Sequence, residues 1–408
     1  MSKLDSGMPD MGALSVAVTG GIGAGKSTVA AVLGGRGAVI IDSDQLAREV
    51  VRPGSAGLAA VAAEFGTRVM AADGSLDRAA LAEIVFADPA ARDRLEGITH
   101  PLVRALFGER WALAPPDGIC LNDIPLIRSI GDAARYHLVV GVGIEDTDLR
   151  VRRLVDRGHS EVDARARIDA QISDQQRRRL CDVWIDNSGS PAELTSVLDR
   201  LWDRIHAFAD NRRADRTLPR AGPVLIDPDP RWAELGTLLA ARVSLATGGA
   251  RTDHIGSTAV PGLPAKDVID LQLTVADMDE ADALRDPLAA AGFPRTLGDW
   301  RDTTHPSDSD PAGWQKRVHG NADPDRKVNL HLRVRDSPGW RWALLFPAWL
   351  RADPGVLADY LAVKRHAAGE LTDLRIADYA AAKEPWMARA YPRGQQWADR
   401  TGWTPGPG

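Results

Sequence analysis

The sequence predicts an α/β protein, with a parallel sheet flanked by helices in its first half and a C-terminal α+β domain after it. Three observations carry that prediction. The segment Gly20-Gly21-Ile22-Gly23-Ala24-Gly25-Lys26-Ser27 fills every fixed position of the G-x-x-x-x-G-K-[ST] phosphate loop. Short β-type runs alternate with helical stretches through the first half, the pattern of parallel strands joined by crossover helices. A polar, proline-punctuated stretch then separates this half from one that holds nine of the 12 tryptophans.

The elements follow in order. Leu14-Ser15-Val16-Ala17-Val18 reads as a buried strand, and Ser27-Thr28-Val29-Ala30-Ala31-Val32-Leu33 has helical spacing and good helix formers. The glycines between them let backbone approach a polyphosphate, and successive N–H groups at the helix start make an anion cradle. Gly21, Ile22, Gly23, Ala24, Gly25, Lys26, Ser27 and Thr28 are therefore the expected ATP contacts. Lys26 reaches toward the β- and γ-phosphates, and the Ser27 hydroxyl toward Mg²⁺. The plain alternative is a glycine-rich turn with a chance lysine, and the flanking strand and helix count against it. Further strands are expected at 38–41, 119–121, 137–140 and 183–185, with ligand at their carboxyl ends. Cys120 and Cys181 lie in apolar strand-like segments, which fits buried, reduced thiols better than a disulfide or a metal site.

The second strand ends Ile41-Asp42-Ser43-Asp44, two acids on one side if the chain stays extended. One carboxylate near Mg²⁺ and another near an acceptor hydroxyl make a phosphotransferase, the catalytic acid orienting the hydroxyl and taking its proton. The structural alternative is that Asp44 caps the helix that follows, and the two roles can coexist.

Composition narrows the classes. The chain has 408 residues, 44% hydrophobic and 26% charged, an ordinary balance for a folded two-domain protein. No run approaches the ~18–20 apolar residues of a membrane span, so a cytoplasmic protein without a membrane partner is expected. A net charge of −6 argues against nucleic acid as a general partner. The arginine-dense stretch 150–179 is a local exception, where a phosphate-binding enzyme has use for it. The expected organisation is a leader without fixed structure at 1–12, a phosphate-loop domain at 13–210, a linker at 211–223 and a second domain at 224–408.

At this point the first half resembles dephospho-coenzyme A kinase. The resemblance rests on TGGIGAGKSTVA, IDSDQLAREVVRPGSAGL, EFG, DGSLDRAALAEIVF, ITHPLVR, DIPL and DNSGS, in that order over residues 14–205. It implies a phosphate-loop kinase fold and transfer of the ATP γ-phosphate to the ribose 3′-hydroxyl of dephospho-coenzyme A. It makes Asp44 the general base and Asp42 its partner acid. Arg48, His100, Pro101, Arg104 and Asp123 fall at the acceptor site, and Arg153 and Arg157 match lid arginines. Gln171 and Arg177 lead toward a base-binding turn, Asn187-Ser188-Gly189. Read without the resemblance, Arg153 and Arg157 are an i, i+4 pair that can simply solvate a helix face, and His100 is equally a helix-end or turn residue. Two segments depart from the family pattern: DIPL continues into Ile127-Arg128-Ser129-Ile130 without the usual acid, and Gly141-Val142-Gly143 replaces a β-branched run. Both departures bear on acceptor affinity.

The second half is similar to the GrpB-type family of nucleotidyltransferase-like domains, through DHIGSTAVPGLPAKDVIDLQL, NLHLR, Tyr360, Lys364, Tyr379 and Lys383. The resemblance implies a Gly256-Ser257 turn for a triphosphate and paired carboxylates for metals. Here Asp270-Leu271-Gln272 has glutamine in the second acid position, which favours a binding or folding-assistance module over a catalytic one. Lys266, Asp267, His254 and His331 are candidate pocket residues, with polar strand-end positions as the plain alternative for the histidines. Four readings stay open: a dephospho-coenzyme A kinase, another phosphate-loop metabolite kinase, a nucleotide-binding regulator, and a bifunctional enzyme. Oligomeric state is not legible in the sequence.

Overall fold

A computed structural model describes residues 12–218, 224–369 and 376–406. Almost all of the expected leader and the end of the expected linker lie outside the described residues. The chain divides into two compact units, one comprising Gly12–Ile127 and Leu138–Leu198, the other Arg128–His137 and the chain from Asp199 onward.

The first unit begins with β1 (Leu14–Gly20), α1 (Lys26–Gly35), β2 (Val39–Asp42) and α2 (Ser43–Glu49). Then come α3 (Ala56–Phe65), α4 (Arg78–Ala87), α5 (Pro89–Ala112) and β3 (Ile119–Asp123). The short helix α6 (Ile130–Ala133) belongs to the other unit. The first unit resumes with β4 (Leu138–Gly143), α7 (Thr147–Val155), α8 (Glu161–Asp169), α9 (Asp174–Arg178) and β5 (Val183–Asp186). Its five strands are all parallel in the order β2-β3-β1-β4-β5. The central strands are buried apolar runs, Leu14, Val16 and Val18 on β1 and Leu138, Val139 and Val140 on β4. Such runs are what a sheet covered on both faces requires.

Register places the chemistry. Asp42 on β2 pairs with Asp123 on β3, so two carboxylates stand side by side at the carboxyl edge of the sheet. Glycines in β4 have a packing reason: a methyl group on Gly143 would fall inside the Trp184 ring of β5, and one on Gly141 would lie 2.6 Å from it. That departure from the family pattern therefore accommodates a neighbouring tryptophan. The segment 127–130 has a local structural task as well. Ile127 is buried, and Ser129 forms a capping box with Asp132 that starts α6. Both cysteines are buried and unbridged, and burial pushes the Cys120 thiol up to about 12.

Helix α10 (Pro191–Arg213) runs into the second unit and buries Asn211, whose amide donates to the Ala322 carbonyl at 3.0 Å. After it come α11 (Arg231–Ala246), β6 (Thr252–Ile255), β7 (Ile269–Val275), α12 (Met278–Ala283) and α13 (Arg285–Ala290). The chain continues through β8 (Arg295–Arg301), β9 (Gln315–His319), β10 (Val328–Val334), α14 (Pro338–Ala352), α15 (Pro354–Gly369) and α16 (Ile376–Thr401). The sheet is mixed, ordered β6-β7-β10-β9-β8, with only β7 and β10 parallel. Four of the tryptophans in this half share one core cluster: Trp314, Trp342, Trp349 and Trp386 pack with Phe346, Tyr360 and Tyr391. Among the described residues no helix is long and apolar enough to cross a membrane.

Candidate active site

The phosphate loop links the central strand β1 to α1 and turns through two left-handed glycines, Gly23 (φ 79°) and Gly25 (φ 95°). Both carry conformations that side chains rarely adopt, which is why glycine stands there. Neighbouring side chains brace the loop. Arg150 on α7 donates twice to the Ile22 carbonyl, at 3.2 Å from both Nε and Nη2. The Ile22 N–H donates to Gln171 Oε1 at 2.9 Å, and Asn187 Nδ2 donates to the Ala24 carbonyl at 2.8 Å. Arg153 Nη2 in turn donates to the Asn187 carbonyl at 3.0 Å. Asn187, Arg153 and the loop are thereby brought together, and side chains added at Gly21 or Gly25 would collide with Arg150 or Asn187.

Lys26, the first residue of α1, pairs with Asp123 at the end of β3. Ser27 and Thr28 follow it, exposed at the first turn of that helix. Asp44, Asp42, Asp123, Lys26 and Arg48 sense one another electrostatically, so the expected acid cluster is assembled. Partial burial raises the Asp44 carboxyl above its ordinary value. Lys26 and Arg48 pull it down, whereas Asp42 and Asp123 push it further up, and the net direction is upward. The side chain still reaches solvent, as a group that meets a substrate must.

Three local expectations change. The chain does not stay extended through Asp44: β2 stops at Asp42, and Asp44 sits in the first turn of α2. The cap is Asp42, whose carboxylate accepts the Gln45 N–H at 3.0 Å, and Asp44 is left with its side chain uncommitted to capping. Arg153 and Arg157 do not share a helix, because α7 ends at Val155; Arg157 is exposed in the turn beyond. His100 is neither helix-end nor turn but lies midway along α5, with Arg104 four residues later, both exposed. That helix packs on α2, which carries Arg48. Gly189 lies after β5, where a methyl group would meet Glu193 Oε2 at 2.6 Å.

Arg150 was not singled out from sequence. It lies three residues before Arg153 and so on the same helix face, a spacing that marks it within the arginine-dense stretch. Its guanidinium is 3.6 Å from Asp174, which also holds the buried Arg177.

For Mg²⁺ the residues present fit: the Ser27 hydroxyl and the carboxylates of Asp42 and Asp123 are hard oxygen donors beside the loop. Among the described residues no cluster of three or more metal-ligating side chains forms a cage. An ion that arrives on nucleotide phosphates needs only one or two protein oxygens.

In the second unit the expected pocket residues each have identifiable neighbours. Asp267 is engaged by Trp232 Nε1 at 2.9 Å and Arg326 at 3.0 Å. His254 packs against Gly236 and bonds Thr258 at 3.0 Å, and burial brings its imidazole down to about 4. Lys266, His331 and His254 all sense Asp270 electrostatically.

A phosphate loop between a central parallel strand and a helix, with acids at the neighbouring strand ends, defines a phosphate-loop kinase. The family model for dephospho-CoA kinase matches residues 14–193, and the model for GrpB protein matches residues 223–393. A dephospho-CoA kinase from Mycolicibacterium paratuberculosis is 50% identical, over 96% of this chain and 100% of its own length. One from Mycobacterium leprae is 45% identical over 96% of this chain and 99% of its length. A shorter one, from Thermobifida fusca, is 44% identical; its whole length matches 49% of this chain. The chain belongs to the dephospho-CoA kinase family, carries a GrpB-type second half and is an ATP-dependent phosphotransferase.

Proposed function

We propose that the chain transfers the γ-phosphoryl group of ATP to the ribose 3′-hydroxyl of dephospho-coenzyme A, in the cytoplasm, as the last step of coenzyme A synthesis. The observation that carries this reading is Asp44: a solvent-reaching carboxyl with a raised affinity for protons, beside Lys26 and the phosphate loop. A base poised above the ordinary carboxylate range is better matched to a hydroxyl proton.

Asp44 orients the acceptor hydroxyl and takes its proton as the phosphoryl group leaves ATP. Arg48, one turn along the same helix, faces the acceptor, with Asp123, His100 and Arg104 contributing from β3 and α5. Lys26 moves its charge from Asp123 to the β- and γ-phosphates as ATP enters. Gly21 to Thr28 cradle the phosphates, while Asn187 and Gly189 border the base. Arg153 stabilises charge on the transferring group, and Arg157 closes from the exposed turn. Ser27 and Asp42 would hold a Mg²⁺ ion, which would supply charge neutralisation at the phosphate oxygens.

The residues read from sequence as 13–210 are proposed to carry this chemistry. The second half is proposed as an accessory module for folding, regulation or ligand binding. A kinase half this chain's length, matched end to end, supports that division. So does the glutamine in the second acid position. The test is ADP release measured against a panel of hydroxyl acceptors. The expected result is turnover that requires dephospho-coenzyme A. Turnover with a different acceptor instead, or ATP binding with no transfer to any acceptor, overturns the reading.

A further inference from the structure

The strand end beside the phosphate loop holds more than Asp123. Asn122, the residue before it on β3, is buried, and its Oδ1 accepts the Ser43 hydroxyl at 2.7 Å. Ser43 is the first residue of α2 and stands between Asp42 and Asp44. Lys26, which pairs with Asp123, is likewise the first residue of α1. Two successive residues of one strand therefore tie down the starts of the two helices that carry the phosphate-loop lysine and the candidate base. The backbone register agrees, with Ile41 opposite Asn122 and Asp42 opposite Asp123.

The tether matters because α2 is short. A helix of seven residues has too few internal hydrogen bonds to hold its own place, so what it touches decides where it sits. Leu46 is its buried residue and lies toward the end of the first turn, whereas the Ser43 hydroxyl joins the first residue directly to the sheet. Asp44 is the next residue, so a shift of that turn carries its carboxyl along. Displacement of a reacting group by about 1 Å can cost on the order of 10²-fold in rate.

We infer that Ser43 and Asn122 are positioning residues: their hydrogen bond holds the first turn of α2 against β3 and so sets where the Asp44 carboxyl stands relative to the phosphate loop. The inference rests on the reading of Asp44 as the base. Both residues act through Asp44, and neither need touch substrate.

The test is a double-mutant cycle in the full chain, with kcat measured at saturating ATP and dephospho-coenzyme A and ATP affinity measured by direct titration. Ser43→Ala removes the hydroxyl and, alanine being the better helix former, does not weaken α2 itself. It is expected to lower kcat by roughly tenfold to a hundredfold, with ATP affinity unchanged. Ser43→Thr keeps the hydroxyl and is expected to keep most of the rate. Added to Asp44→Asn, Ser43→Ala is expected to cost nothing further, because a residue that acts through Asp44 has nothing left to position. A parent rate in Ser43→Ala, a loss confined to ATP affinity, a Ser43→Thr rate as low as that of Ser43→Ala, or the same loss with and without Asp44 overturns the inference. Asp44→Asn alone reports on the base: a parent rate there sinks both readings, whereas a lost rate there beside a parent rate in Ser43→Ala sinks only the tether. Asn122→Ala breaks the same bond from the strand side, and thermal unfolding checks its fold. The folded variant is expected to reproduce the kcat loss, and a parent rate in it also overturns the inference.

Discussion

The two units each present an acid pair position at the end or middle of a sheet strand, and they treat it in opposite ways. In the first, Asp42 caps α2 while Asp44, two residues on, keeps a solvent-reaching carboxyl whose proton affinity is raised by burial and by neighbouring acids. In the second, the residue two after Asp270 is a glutamine with both amide atoms satisfied inside the protein. The comparison separates a group kept available for chemistry from one committed to packing. A carboxyl held in a crowded anionic setting costs stability, whereas a buried amide with matched partners stabilises the fold.

The largest effect tests the available group. Asp44→Asn is expected to lower turnover roughly 10²–10⁴-fold, with ATP affinity retained in direct titration. The same variant has a signature in stability. Because the folded protein raises this pKa, it holds a proton that the unfolded chain has released, and stability falls as pH rises through the window just above the ordinary carboxylate value. Asn removes that loss, so the variant is expected to melt no lower than the parent at pH 7, with the difference vanishing in acid. A lower melting temperature at pH 7 would show that Asp44 holds the fold together.

Lys26→Ala comes next, with a loss of order 10²–10³ in turnover, since one preorganised donor to developing phosphate charge is removed. Thermal unfolding should show the fold intact. Arg150 and Arg157 then sharpen the comparison within one region. Arg150 makes two charge-assisted hydrogen bonds to the phosphate loop, worth about 1.5–3 kcal/mol each in this setting, so Arg150→Ala is expected to weaken ATP binding by tenfold or more. Arg157→Ala, at an exposed turn, should cost less than that in the same titration.

On the committed side, Gln272→Glu should destabilise the second unit by about 1–3 kcal/mol, because a carboxylate cannot donate to the Trp340 carbonyl. Urea unfolding measures it. Restored metal binding in that variant would break the comparison, since it would mean the site lacks only a charge. Phosphate transfer per folded molecule should be unaffected.

Much of the fold was legible because parallel strands buried on both faces leave continuous apolar runs, and all five expected strands of the first sheet are found within a few residues. The phosphate loop was legible because its glycines serve backbone geometry that no other residue satisfies. Which acid caps the helix was not: an Asp-x-Asp spacing is the same whether the chain stays extended or turns into a helix between them, and only the helix start at Ser43 decides it. Arg150 was hidden for a related reason, since arginine-dense helices look alike until a carbonyl such as that of Ile22 is brought against one of them. The packing reason for the glycines of β4 was not legible because the ring that needs their space, Trp184, lies some 40 residues on in sequence.

The most direct measurement is the position of the transferred phosphate. The full chain is incubated with ATP, Mg²⁺ and dephospho-coenzyme A, and the product is examined by phosphorus–proton correlation NMR. The account predicts a new phosphomonoester coupled to the ribose H3′, formed in step with ADP and absent with Asp44→Asn. A phosphate coupled to H2′, or ADP formed with no phosphorylated acceptor, would contradict it.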